Sequence, residues 1–447
     1  MLSKFSGLNR TSRVLVLFAT LAALLSCSSS SKNTGGARSG LAFRAFVSNP
    51  VHPGVSGGGS PVLEIMDASR DLLSGFIVSL AGLTSNLSDP GMMAVSPNHG
   101  FTLIMSPRDL KLGLVDNSRE TLAGTITLPG VSESFFIWTD NKTAFVAVPS
   151  APVVGQAPGA VEKFDTNSAA ITAEIPIPGA HYIVPSPNGN QVLVFSDNLN
   201  TVVLLTPSLI GASGQPNTIS QCTTTQVPAC TLPATFDRPI SAVFDPSSTT
   251  AYILNCGPEC GGITAGITAI DMTNPGNPVL ANQPVSAATV GFLEGTQLFV
   301  AGTQIGTGGV LTVLNLTSGL SNVNCTASTP VNCQTFSITD GYHTGMQMGS
   351  NGQLFIGSKA CTGLSGNGVC LSILDTAKMQ VVPTPKNSPV GDVTGMAPIP
   401  NQNVVYVCQG GILRIYDTAT DQLKVFPTGE AQPNVIGQAV DVKVIDF

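Results

Sequence analysis

The chain has 447 residues, of which 43% are hydrophobic and only 10% are charged. Acids outnumber Lys and Arg by 26 to 19, a formal net charge of -7, which argues against nucleic acid as a partner because phosphates require a basic surface. The 47 glycines and 32 prolines, with this hydrophobic fraction, indicate a globular, turn-rich chain with ample material for a core rather than a disordered one.

The N-terminus has the pattern of a bacterial export signal. Lys4, Arg10 and Arg13 precede the apolar run VLVLFATLAALLS, residues 14–26. At about 1.5 Å per residue this run covers about two-thirds of a ~30 Å hydrocarbon core, so a stable transmembrane helix is disfavoured. We expect residues 1–26 to be a removable signal peptide, either of the lipoprotein type or an ordinary secretory signal followed by a chance cysteine.

The stretch LLSC, residues 24–27, resembles the lipobox of bacterial lipoproteins, in which the cysteine becomes the lipidated first residue. The resemblance implies an anchor on Cys27 that holds the protein on a membrane surface without spanning it. Residues 27–40, which include the Ser- and Gly-rich SSSSKNTGGARSG, are then a flexible tether. Ser28 is not the acidic residue that retains lipoproteins at the inner membrane, so the resemblance implies the outer membrane, on its periplasmic or surface face.

Residues 41–447 contain repeats. From Gly91, one unit reads GMMAVSPNHG, FTLIMS, LKLGLVDNS and TLAGTITLPG, which are four short apolar runs separated by turn residues and therefore four strands. The turn after the first strand, rich in Pro, Asn and Gly, recurs at 96–100, 186–190, 245–249, 349–353 and 399–403. The third strand ends on an acid that we expect to cap its own turn, at Asp67, Asp116, Asp165, Asp271, Asp375 and Asp417.

The repeat spacing predicts a β-propeller. Successive third strands lie 41 to 65 residues apart, which with four strands per unit is typical of propeller blades. The chain opens on a second strand and ends on a lone first strand, an arrangement that fits ring closure. We predict an all-β propeller of eight four-stranded blades, with seven as the alternative, closed by pairing of the C-terminal strand with the N-terminal blade. Eight first strands are expected to begin near 92, 134, 181, 240, 288, 344, 393 and 438.

The second strands resemble the repeats of the YVTN family of β-propellers, through Phe46-Val47-Ser48-Asn49 and Tyr252-Ile253-Leu254-Asn255. The "IDTAT" element of that family is matched cleanly by YDTAT at 416–420, whereas an exact Tyr-Val-Thr-Asn does not occur. The resemblance implies fold more than function. Many members are exported proteins without a known reaction, and others resemble lactonases that act on sugar-derived lactones.

Besides Cys27 there are nine cysteines, and eight of them form neighbouring pairs. In an exported protein such pairs predict local disulfides, here Cys222 with Cys230, Cys256 with Cys260, Cys325 with Cys333 and Cys361 with Cys370. We expect the two C-x7-C loops to extend the hairpin between third and fourth strands. A metal site is disfavoured because no C-x-x-C occurs and the four histidines are dispersed, with CGPEC at 256–260 as the alternative location for one. Cys408 is expected to be a buried thiol.

Propeller ligands usually bind where the inner strands begin. The polar residues predicted there are Glu133, His181, Arg238, His343 and Asp392. They predict either a polar pocket for a small ligand, with His181 and His343 titrating near neutrality, or simply solvent-exposed loop residues. No acid and base pair is fixed by spacing, so we predict no catalytic residue, cofactor or metal.

We expect a monomeric, membrane-tethered binding or scaffold module for a protein or glycan of the cell envelope. The alternative is a lactonase-like hydrolase or isomerase that uses the polar residues at the channel mouth.

Overall fold

The computed structural model describes residues 38–53, 59–83, 91–211, 219–223, 227–363, 366–383, 388–426 and 432–446. The predicted signal peptide, Cys27 and most of the tether lie outside these residues. The described part of the chain is built from β-strands, with three short 3₁₀ turns at Pro207–Leu209, Gly257–Cys260 and Leu320–Asn322. The all-β prediction is confirmed.

The strands form eight antiparallel sheets of four. Blades 1 to 4 contain β1 (Arg44–Pro53), β2 (Gly59–Asp67), β3 (Leu72–Ser79); β4 (Met93–Val95), β5 (Phe101–Ser106), β6 (Lys111–Asp116), β7 (Thr121–Thr127); β8 (Ser134–Ile137), β9 (Thr143–Val148), β10 (Ala160–Asp165), β11 (Ala170–Pro176); and β12 (Ala180–Pro185), β13 (Val192–Ser196), β14 (Val202–Leu205), β15 (Ala229–Thr231).

Blades 5 to 8 and the final strand contain β16 (Pro239–Phe244), β17 (Thr250–Asn255), β18 (Gly266–Asp271), β19 (Val279–Pro284); β20 (Val290–Glu294), β21 (Gln297–Gln304), β22 (Gly308–Asn315), β23 (Cys333–Ile338); β24 (Tyr342–Met348), β25 (Gln353–Lys359), β26 (Leu371–Asp375), β27 (Gln380–Val381); β28 (Val393–Pro398), β29 (Val404–Gln409), β30 (Ile412–Asp417), β31 (Gln422–Leu423); and β32 (Asp441–Val444).

The C-terminal strand closes the ring. β32 pairs antiparallel with β1, with Ala45 opposite Val444 and Ser48 opposite Asp441, and so becomes the inner strand of blade 1. It also packs beside β28 of blade 8 and β4 of blade 2, as each inner strand packs beside the next. The chain is therefore an eight-bladed β-propeller, and the predicted closure is confirmed.

Hydrophobic cores lie between the blades. On β9, Ala144, Val146 and Val148 face the core shared with blade 2, whereas Phe145 and Ala147 face the core shared with blade 4. Because both faces of a middle strand are buried in this way, second strands read as nearly continuous apolar runs. One cluster of this kind fills each of the eight blade interfaces, including the interface of blades 8 and 1.

The predicted turns form as expected. Each of the six third-strand aspartates accepts, through its Oδ1, a hydrogen bond from the backbone N–H two residues later, as in Asp67 with Ser69 at 3.1 Å and Asp417 with Ala419 at 2.7 Å. The recurring turns after the first strand contain a left-handed residue, for example His99 at φ +58° and Gly189 at φ +72°.

The disulfide prediction is confirmed for all eight cysteines. Cys222–Cys230 and Cys325–Cys333 extend hairpins between third and fourth strands, whereas Cys256–Cys260 and Cys361–Cys370 lie between second and third strands. Cys408 is a buried free thiol on β29. Four disulfides fit an exported protein. Within the described part of the chain, no helix has the length and apolar character needed to span a membrane.

Candidate ligand site at the channel mouth

All inner strands begin on one face of the ring, which also carries the loops between second and third strands because the strands of a blade alternate in direction. We call the opening of the central channel on this face the mouth. Side chains from blades 3, 4 and 7 meet there. They are Glu133, His181, Tyr182, Asp197 and Tyr342, here named the mouth cluster.

A histidine lies between two carboxylates in this cluster. His181 Nδ1 is 2.6 Å from Asp197 Oδ1, and its Nε2 is 3.5 Å from Glu133 Oε2. Burial by itself lowers the pKa of His181, but its interactions with the carboxylates of Glu133 and Asp197 outweigh it and raise the pKa. The bond to His181 in turn lowers the pKa of Glu133. The arrangement therefore favours an imidazolium ion with both nitrogens engaged.

Two tyrosines meet across the channel. The hydroxyl of Tyr182, on the inner strand of blade 4, lies 3.0 Å from the hydroxyl of Tyr342, on the inner strand of blade 7. The ring of Tyr182 also stacks on His181, with ring centroids 4.0 Å apart. Burial raises the pKa of both tyrosines, so both hydroxyls stay protonated and can donate as well as accept hydrogen bonds.

Arg238 shares a cavity with the histidine. A cavity of about 200 Å³ between blades 4 and 5 is lined by His181, Tyr182, Asp197 and Arg238, with Cys260 at its edge. The backbone of Arg238 is left-handed at φ +55°, and its N–H donates to Asn200 Oδ1 at 3.1 Å. Of the five residues predicted from sequence, the structure thus brings together Glu133, His181 and Arg238.

The structure corrects the expectation that His343 titrates near neutrality. Its side chain is buried, Nε2 lies 3.1 Å from Thr339 O, and burial lowers its pKa to about 4. The cause is a β-bulge near the start of the inner strands. In blade 4 the extra residue is His181, and in blade 7 it is Thr344, so His343 occupies the position that Ala180 holds in blade 4. That position faces the core.

Asp392 lies on the same face but outside the mouth cluster. It is exposed at the start of blade 8, and its Oδ1 accepts a hydrogen bond from Ala360 N at 2.8 Å. The carboxylate therefore stabilises the loop that carries the Cys361–Cys370 disulfide.

Sequence reasoning missed four residues at or beside the mouth. Tyr182 and Tyr342 adjoin the two predicted histidines, Asp197 directly follows the second strand of blade 4, and Glu259 lies within the CGPEC turn. Burial raises the pKa of Glu259 to about 6, and its Oε2 accepts a hydrogen bond from Thr303 N at 2.8 Å. The second strands of all blades end on the mouth face. The predicted ends of these strands could therefore have identified Asp197 as a candidate site residue.

Comparison with known proteins shows the fold. NirN, a dihydro-heme d1 dehydrogenase solved in complex with DHE, superposes with a TM-score of 0.61 at 13% identity, over 91% of this chain and 75% of that chain. A functionally unknown protein from Desulfotomaculum acetoxidans gives 0.50 at 14% identity, over 90% and 99%. The periplasmic gluconolactonase PpgL of Pseudomonas aeruginosa gives 0.48 at 13% identity, over 90% and 98%.

No protein-family model and no curated protein sequence matches the chain. The resemblance to YVTN repeats therefore depends on the quoted residues alone, and the likeness to solved structures extends to the propeller fold but to no activity.

Proposed function

We propose that this chain is an exported, lipid-anchored binding module whose channel mouth holds a polyhydroxylated ligand, such as the end of an envelope glycan. The observation that carries the proposal is the convergence of polar side chains from three blades at one opening: the Tyr182–Tyr342 hydroxyl pair and the carboxylates on either side of His181.

The chemistry of the mouth suits sugar hydroxyls. Carboxylates accept hydrogen bonds, Arg238 donates them, and protonated tyrosines do both, so the donors and acceptors of a sugar ring can all be matched. The tyrosine rings add apolar surface against which the C–H faces of a sugar can pack. The cavity of about 200 Å³ beside His181 lies within this set.

The state of His181 favours binding over hydrolysis. A general base must be unprotonated and free to take a proton from a nucleophile. Both nitrogens of His181 are instead engaged by carboxylates that raise its pKa. The cluster therefore presents fixed charge and hydrogen-bonding groups rather than an activated nucleophile.

Calorimetric titration of residues 28–447, which omit the signal peptide and the lipidation site Cys27, with maltotetraose, chitotetraose and gluconate tests the proposal. We expect a Tyr182→Phe, Tyr342→Phe variant to weaken binding about 5- to 100-fold, since each lost hydrogen bond costs about 1 kcal/mol or somewhat more. Tyr252→Phe is the matched control because Tyr252 lies on β17, away from the mouth cluster. Equal affinity for the double variant and the wild type would refute the site.

A lactonase-like hydrolase is the second candidate, and Glu259 is the observation that favours it. With a pKa of about 6, this carboxyl group can exchange protons near neutral pH beside the mouth. Turnover of sugar lactones by the wild type that His181→Gln with Arg238→Gln abolishes would support the enzyme over the binding module.

The anchor is tested separately. If Cys27 is lipidated, Cys27→Ala will move the protein from the membrane fraction to the soluble fraction. Retention of this variant in the membrane fraction would refute lipid anchoring.

A further inference from the structure

The disulfide-bridged CGPEC turn of blade 5 carries Glu259 to the edge of the mouth. The Cys256–Cys260 bridge closes the 3₁₀ turn Gly257–Cys260. Cys256 is fully buried, and Gly257 is left-handed at φ +61° with room for no side chain, since an added Cβ would lie 2.2 Å from Ala265 N. The turn is therefore fixed by a covalent bridge on one side and close packing on the other.

From this turn a chain of contacts leads to the tyrosine pair. Glu259 Oε2 accepts from Thr303 N of blade 6 at 2.8 Å, and Thr303 Oγ1 donates to Gly341 O of blade 7 at 2.7 Å. Gly341 directly precedes Tyr342, whose hydroxyl meets that of Tyr182. An added Cβ on Gly341 would lie 2.3 Å from Lys359 O, so the peptide before Tyr342 is confined on both sides.

We propose that Glu259, held by the Cys256–Cys260 bridge, is a positioning residue that sets Tyr342 against Tyr182 through Thr303 and Gly341. The ordering of Tyr342 stands independently, whereas the consequence for ligand affinity rests on the proposed function.

The role of Glu259 depends on pH because burial raises its pKa. Toward the loop, Asp237 Oδ2 accepts from Ile263 N and Thr264 N, and Arg238 follows in sequence. Toward the channel, burial raises the pKa of Tyr342, and the charges of Glu133 and Glu259 add to this effect. Among the described residues, no basic side chain forms an ion pair with Glu259. Because burial raises its pKa to about 6, the carboxylate is ionised above that pH, where it accepts most strongly from Thr303 N.

Hydrogen exchange of the Thr303 amide and of peptide 341–348 measures the positioning directly, without a ligand. At pH 7.5, after correction for intrinsic rates, we expect Glu259→Ala and the Cys256→Ser, Cys260→Ser variant each to raise both exchange rates at least fivefold. Glu259→Gln retains an acceptor oxygen, so it keeps protection near the wild-type level but loses the fall in protection that the wild type shows between pH 7.5 and 5.

The matched control is Cys325→Ser with Cys333→Ser, which removes a bridge from a hairpin on the opposite face. Wild-type exchange in Glu259→Ala, or an equal rise at β24 in the control, overturns the proposal. The same variants titrated with maltotetraose, chitotetraose and gluconate separate the two claims. Altered exchange with unaltered affinity leaves the positioning intact and removes its link to binding.

Discussion

Replacing Arg44 tests what holds the propeller closed. Arg44 Nη1 lies 2.7 Å from Glu120 Oε1, while Nε and Nη2 reach both carboxylate oxygens of Asp446 at 2.7 and 2.9 Å. One guanidinium therefore joins β1, the second residue after β32, and a turn of blade 2. The side chains of Arg44 and Glu120 are 7% and 1% exposed, so this pair is buried.

Removing one partner of a buried ion pair leaves the other charge buried without a counter-ion, which lowers the free energy of unfolding by about 3–5 kcal/mol. Arg44→Met leaves Glu120 in that state. For about 400 ordered residues, an unfolding entropy of about 2.1 cal/mol/K per residue converts the loss into a fall in Tm of about 4–6 °C. Adding Glu120→Gln removes the unpaired buried charge and is expected to recover more than half of the stability lost in Arg44→Met.

Calorimetry of both variants, with the disulfides intact, measures this shift. Arg119→Met is the control, because that arginine is 74% exposed in its pair with Asp116 and an exposed pair is worth less than about 1 kcal/mol. The buried ion pair of Arg44 would be refuted as a stabiliser of ring closure by either of two results. One is an Arg44→Met variant no less stable than the control, and the other is a double variant as unstable as Arg44→Met.

Deleting residues 438–447 removes β32 and opens the ring, so we expect cooperative unfolding to be lost and proteolysis of blade 1 to precede that of blade 4 in timed digests. Burial, together with Glu174, raises the pKa of Glu162 to about 7. Since the unfolded value is about 4.3, the stability that Glu162 contributes is expected to be lost as the pH rises from about 4 to above 7, so the difference in denaturant midpoint between the wild type and Glu162→Gln should change in the unfavourable direction for the wild type over this range. Burial lowers the pKa of His343 to about 4, so as the pH falls this histidine is protonated in the unfolded chain before it is protonated in the folded chain. The stability that His343 contributes should therefore be lost as the pH falls from about 6.5 toward 4, so the difference in denaturant midpoint between the wild type and His343→Gln should shift against the wild type over this range.

The sequence predicted the architecture well because a propeller repeats its local rules. Six of the eight third strands end on an aspartate that caps its own turn, and the second strands are apolar on both faces because they are buried between two blades. Both signals depend on neighbours within a few residues, so they can be counted without knowing the ring. Closure followed from the unequal ends of the chain, and the pairing of Ser48 with Asp441 bears it out.

The sequence predicted where the mouth lies but not which residues meet there. The inner strands of blades 4 and 7 have their bulge at the same place, but His181 is the extra residue in blade 4, whereas His343 directly precedes the extra residue Thr344 in blade 7. One predicted histidine therefore lies at the mouth and the other in the core. The Tyr182–Tyr342 contact joins residues 160 positions apart across the channel. No local pattern encodes such a pair, because it depends on the diameter of the finished ring.

The direction of β1 places the N-terminal end of the described chain on one face of the ring. Its first residue, Arg44, and the preceding Ser39, which bonds to Glu120 in a turn of blade 2, lie on the side of the disc opposite the tyrosine pair. If the proposed anchor on Cys27 is present, its tether would therefore join the disc on the face opposite the mouth. The mouth of the channel would then lie on the face away from the attachment point, accessible to ligands in solution.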